Sequence, residues 1–148
     1  MSKKRNKKEP KLRKYKYLEE MGLKRKDCSM RNYMAGDRRE KDWVKIEAET
    51  GVFDPDCWCF YDSFAKYLYS NLCHYLKTAS KMIDLDYHKF TINGKEYTQR
   101  QAIKRMIEHL EIFIKNDDIL TEEEWKKADK AMRKAMEIWV EIYPAMWW

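Results

Sequence analysis

Residues 53–79 read FDPDCWCFYDSFAKYLYSNLCHYLKTA, and they decide between a metal or redox centre and the start of a long helix. Cys57 and Cys59 sit among the carboxylates of Asp54, Asp56 and Asp62, which invites the first reading. The spacing favours the second. Asp54 is a good N-cap, Pro55 suits a first helical position that needs no N–H, and Asp56 favours the positive end of the dipole. Phe53 before the cap and Trp58 at the fourth helical position would close a hydrophobic staple. Trp58, Tyr61, Ala65, Leu68, Leu72, Leu76 and Ala79 then recur at helical spacing, which predicts one buried stripe on a helix running to about Met82. Cys57 and Cys59, two residues apart on that helix, point to nearly opposite sides and do not chelate one ion together.

Downstream the same grammar returns. FTINGKEYT alternates around Asn93-Gly94, the strongest short-range hairpin signal. Thr98 caps the next helix with Gln101 completing a capping box, and Ile103, Met106, Ile107, Leu110 and Ile114 make its buried stripe. Thr121 and Glu124 form a second box, with Leu120 stapled onto Trp125. Trp125, Ala128, Met132, Ala135, Trp139 and Ile142 form the last stripe, ended by Pro144. The expected fold is mainly α: a small bundle of three longer helices plus short N-terminal helices, with a β-hairpin inserted near residues 89–98.

Upstream, the chain is basic. Residues 1–42 hold sixteen Lys and Arg against seven acids, whereas residues 43–148 hold fifteen against eighteen. The net charge of +6 therefore belongs to the N-terminal segment. KLRKYKYLEEMG predicts a short basic helix stopped by Gly22. KRKDCSMRNYMAGDRR shows no period and reads as an irregular linker. EKDWVKIEAETG reads as a short amphipathic helix with Trp43 and Ile46 inward and Gly51 as its stop. The expected organisation is a basic arm and linker over 1–42 and a helical domain over 43–148. The surplus of charge points to a polyanionic partner or to a solubilising tail. Lys3, Lys4, Arg5, Lys7, Lys8 and Arg13 are the candidate phosphate contacts.

Several classes of chemistry find no support. No apolar stretch follows the basic N-terminus as a secretory signal requires, and nothing approaches the roughly 20 apolar residues of a membrane span. A cytoplasmic protein with reduced thiols at Cys28, Cys57, Cys59 and Cys73 is the expectation. Cys73 and His74 are neighbours on a helix and diverge by about 100°, so no convergent zinc set is seen. His74, His88 and His109 lie far apart, no Gly-rich phosphate cradle is present, and no cofactor or enzymatic activity is expected.

One constellation occurs twice. WCFYDSFAK and WKKADKAMR both read Trp-x-x-x-Asp-x-x-x-Lys/Arg, placing Trp58, Asp62 and Lys66 on one helix face and Trp125, Asp129 and Arg133 on another. Two readings stand. The triplets are ordinary helix ion pairs beside Trp anchors, or they face each other across a pocket, with indoles for stacking and cations for phosphate.

The three runs FDPDCWCFYDSFAKYLYSNLCHYL, YHKFTINGKEYTQRQAIKRMIEHLEIFI and LTEEEWKKADKAMRKAMEIW together resemble small helical accessory proteins of tailed bacteriophages, over roughly residues 51–140. That resemblance implies a context, a bacterial host cytoplasm, and carries no residue roles. The expected function is non-enzymatic binding of a phosphate-bearing ligand, nucleotide or nucleic acid, with a counter-defence nucleotide sponge as one concrete form. The alternative is a protein-interaction module, such as an inhibitor of a host protein or a virion-associated factor. It would use the aromatic tail IYPAMWW, where Trp147 and Trp148 would otherwise be exposed, and self-association through that tail is a variant of it.

Overall fold

Three helices of seventeen to twenty-one residues carry the architecture, as seen in a computed structural model that describes residues 8–116 and 121–147. The described elements in chain order are α1 (Lys16–Met21), α2 (Met30–Tyr33), α3 (Glu40–Thr50), α4 (Phe60–Ala79), β1 (Lys89–Ile92), β2 (Lys95–Thr98), α5 (Gln99–Lys115) and α6 (Glu122–Ile142). The fold is mainly α with one small antiparallel hairpin. No helix among the described residues is long and apolar enough to cross a membrane.

The second half forms as its local grammar dictates. Asn93 and Gly94 both take positive φ, 50° and 75°, the two-residue turn that matches the twist of paired strands. Lys89 then faces Thr98 and Ile92 faces Lys95. A lone hairpin is marginal in water, and this one is supported by buried Ile92 and by Phe90 and Tyr97 packed against the core. Both capping boxes are present. Thr98 Oγ1 accepts the Gln101 N–H at 3.2 Å, and Thr121 Oγ1 accepts that of Glu124 at 3.2 Å. α5 is the central helix, packed against both α4 and α6. Its Ala102, Ile103, Met106 and Leu110 are fully buried, and α6 supplies Ala128, Ala131, Ala135, Ile138 and Ile142. The Leu120 staple falls outside the described residues, and Trp125 is 44% exposed rather than inward.

The first half departs from expectation at several points. Residues 54–57 form a separate 3₁₀ turn, and α4 begins only at Phe60. Asp54 makes no side-chain capping bond. The cause is long-range. Phe53 packs edge-on against Trp43 of α3 with ring centroids 6.1 Å apart, Pro55 is buried, and Trp58 meets the same indole at 5.2 Å. The staple of Phe53 onto Trp58 is thus replaced by two rings on a third, and the chain turns toward α3 before α4 starts. Trp58 and Tyr61 remain half exposed, α4 ends at Ala79, and Met82 lies exposed beyond it. On α3, Trp43 is buried as expected but Ile46 is exposed.

The stretch read as a linker is structured. Arg25–Cys28 is a 3₁₀ turn, and Ser29 caps α2 by accepting the Asn32 N–H at 3.1 Å. Leu18 and Cys28 join Ala65, Leu68, Leu72 and Met106 in one core cluster, so the described residues on either side of residue 42 share a core. Gly22 stops α1 in the left-handed conformation, φ 117°, as its sequence position requires.

Candidate functional site

Asn32 organises the basic segment. It is 2% exposed, and every polar atom of its amide is used. Its Oδ1 accepts the Arg13 N–H at 2.9 Å, while Nδ2 donates to the carbonyls of Arg13 and Arg25, both at 2.8 Å. A buried amide persists only when so satisfied. The consequence is that two basic runs, Lys11-Leu12-Arg13-Lys14 and Lys24-Arg25-Lys26, are held side by side at one amide. Nearby cations are partly neutralised: Lys16 pairs with Glu20, Arg25 with Glu19, Arg31 with Glu47 and Arg39 with Asp37. Lys8, Lys11, Arg13, Lys14, Lys24 and Lys26 are exposed and form no ion pair with a described residue. Of the candidate phosphate contacts, Arg13 lies on this surface and Lys8 is exposed three residues before its first run, while Lys3, Lys4, Arg5 and Lys7 lie outside the described residues.

Below this surface, between α4 and the segment from Tyr15 to Tyr33, run two clefts of about 250 and 390 Å³. They share Ser29, Met30, Asp62 and Lys66, and so adjoin each other along α4. Tyr15, Asp56 and Tyr67 line the first, and Asp27, Tyr33 and Lys115 the second. At the junction Lys66 Nζ donates to Asp62 Oδ2 at 2.8 Å, with side chains only 12% and 10% exposed. Asp62 Oδ1 and Ser63 Oγ are buried without a hydrogen-bond partner. Such orphans cost free energy. Burial pushes the Asp56 carboxyl up, opposed by Arg31 and reinforced by Glu47.

The second triplet is in a different setting. Arg133 Nε donates to Asp129 Oδ2 at 2.8 Å, but the side chains are 75% and 43% exposed. α5 packs against both α4 and α6, and no α6 residue lines either cleft at Asp62 and Lys66. Trp58 is occupied elsewhere, against Trp43 and 5.5 Å from the Arg39 guanidinium. The structure therefore brings Asp62 and Lys66 into a groove with N-terminal residues, and leaves Trp125, Asp129 and Arg133 on the α6 surface.

The cysteines are dispersed. Cys57 is exposed, Cys59 and Cys73 are half-buried, and Cys28 is buried with its thiol donating to the Lys24 carbonyl at 3.3 Å. Burial, then Glu19, pushes the Cys28 thiol up to about 11. Among the described residues no three His, Cys, Asp or Glu side chains are grouped to hold a metal ion.

At the far end, Gln99 is 1% exposed and donates to the Ala145 carbonyl at 3.0 Å and to the Tyr75 hydroxyl at 3.3 Å. Tyr75 in turn donates to the Trp147 carbonyl at 3.4 Å, so the tail is fixed while the Trp147 indole stays 74% exposed. Trp148 lies outside the described residues.

Asn32, Asp56, Tyr33 and Tyr67 were absent from the sequence-based site. The Ser29–Asn32 spacing was the only local signal, and it marks a helix start rather than a buried amide. No family model, curated protein or solved structure matches this chain. The likeness to phage accessory proteins gains no support from those comparisons.

Proposed function

We propose that this protein is a non-enzymatic binding protein for phosphate-bearing polyanions, nucleic acid or nucleotide. The observation that carries the reading is the joining of two basic runs at Asn32, which concentrates unpaired cations on one surface over a mildly acidic body. Clustered cations gain affinity for phosphate by releasing condensed counterions. The experiment is fluorescence anisotropy of a labelled oligonucleotide across a salt series, with the protein and its Lys11→Glu, Lys14→Glu, Lys24→Glu, Lys26→Glu variant. Affinity should fall steeply with salt, and the variant should bind weakly with a slope reduced by about three. An unchanged isotherm for the variant removes the basic surface from function. ATP and a cyclic dinucleotide as competitors test the nucleotide-sequestering, counter-defence form of the reading.

The second reading is a protein-interaction module, and the exposed Trp147, whose carbonyl accepts from Tyr75, favours it. An exposed indole on an anchored backbone presents apolar area at low entropic cost, as interface anchors do. Light scattering of the chain and of Trp147→Ala tests the self-associating form.

A further inference from the structure

We propose that the groove between α4 and the Tyr15–Tyr33 segment takes a single strand of nucleic acid, bases inward and phosphates outward. This rests on the polyanion reading above and names its substrate class. Three features give the orientation.

The first is stacking. Tyr67 and Tyr33, 67% and 55% exposed, stand one on each of the two adjoining clefts. Lys26 Nζ lies over the Tyr33 ring, 5.5 Å from its centroid, so a cation and an aromatic ring occur together. Every base offers a π-face, and stacking on exposed rings beside cations is how single strands are held without sequence preference.

The second is the charge of the floor. Asp27, Asp56 and Asp62 line the groove, Lys66 is tied to Asp62, and Lys115 is tied to Glu111 at 2.7 Å. With Asp62 neutralised by Lys66, the carboxylates of Asp27 and Asp56 are the ones that disfavour phosphate and accept hydrogen bonds from base amino groups. The unpaired cations are chain neighbours of the lining residues. Lys14 adjoins Tyr15, and Lys24 and Lys26 fall between Leu23 and Asp27. Cations beside an acidic floor put the backbone outside and the bases inside.

The third is exclusion of the duplex. A double helix carries its phosphates outermost and hides its base faces in the stack. It would present phosphate to carboxylates and leave both tyrosines unused.

The test compares a labelled sixteen-nucleotide single strand with its own duplex at one salt concentration, for the protein and for Tyr33→Ala, Tyr67→Ala. The same sequence as RNA forms a second arm that assigns the sugar. The single strand should bind about tenfold tighter than the duplex, and the tyrosine variant should lose about tenfold for the single strand. Its melting temperature, duplex affinity and salt slope should stay as in the parent. Equal binding of strand and duplex by the parent, or full single-strand affinity in the variant, overturns the groove assignment while leaving the polyanion reading in place. Failure of the parent to bind either probe overturns both.

Discussion

Asn32 holds Arg13 through both halves of its backbone, accepting the N–H at 2.9 Å and donating to the carbonyl at 2.8 Å. The geometry imitates one rung of a strand pair, made by a side chain because no strand is there. Replacing Asn32 by Ala leaves the Arg13 N–H and the carbonyls of Arg13 and Arg25 without this partner. The variant should lose about 1–3 kcal/mol in chemical denaturation, since three hydrogen bonds worth about 0.5–1.5 kcal/mol each are lost while the exposed Arg13 and Arg25 turn partly to water. Amide exchange at Arg13 should accelerate well beyond that at Leu110. Unaltered protection at Arg13 would mean that the N-terminal segment is held by something other than Asn32.

The capping boxes set a second expectation. Thr121→Ala and Thr98→Ala should each destabilise by about 1 kcal/mol, because each removes an N-cap and half of a reciprocal pair. Asp54→Ala should fall within about 0.5 kcal/mol, as Asp54 caps nothing. Pro55→Ala should cost more than Asp54→Ala, because Pro55 is fully buried against its surroundings. Thermal melts of the four variants check the order, and a large loss from Asp54→Ala would contradict the 3₁₀ turn.

The two Trp-Asp-cation triplets should respond in opposite ways. Lys66→Ala strands a carboxylate that is 7% exposed, and removing one partner of a buried pair costs about 3–5 kcal/mol. Arg133→Ala acts on a pair in open solvent and should change stability by less than about 1 kcal/mol. The double change Asp62→Leu, Lys66→Met should recover much of the loss, because a well-packed apolar pair often matches a buried ion pair. Equal effects of Lys66→Ala and Arg133→Ala in denaturant melts would show that Asp62 is better hydrated than its burial indicates.

That contrast also shows what was legible in the sequence. The Asn93-Gly94 turn and both capping boxes were readable because their partners lie within four residues of each other. The fold class followed from them and from the apolar stripes of α5 and α6. The start of α4 was not readable, because Phe53, Pro55 and Trp58 answer to Trp43, on another helix. The triplets were identical as local patterns, and only the Tyr15–Tyr33 segment covering one of them distinguishes a buried pair from an exposed one. A polar residue such as Asn32, buried through contacts nineteen residues away, leaves almost no trace in the chain around it.

His109 supplies a pH dependence whose sign can be derived. It lies on α5 at 9% exposure, and burial, then Arg105 and Lys134, hold its imidazole below the ordinary 6.5, with Glu108 and Glu137 opposing. In the unfolded chain the ring takes up its proton as the pH falls through 6.5, whereas the folded ring resists. The unfolded state therefore binds more protons just below 6.5, and stability falls as the pH drops through that window. Above it both states are neutral and this source gives no slope. Asp56 acts with the opposite sign and in a more acidic range. Its folded carboxyl keeps a proton to higher pH than the unfolded value of 3.8, so it adds stability as the pH falls through the raised value. Melting temperatures at about pH 7.5 and about pH 5.5 should differ in the parent and differ less in His109→Gln, which cannot take the proton. The comparison reads a difference of differences, so any uniform loss from the substitution cancels. An identical drop in parent and variant would assign the acid sensitivity to groups other than His109.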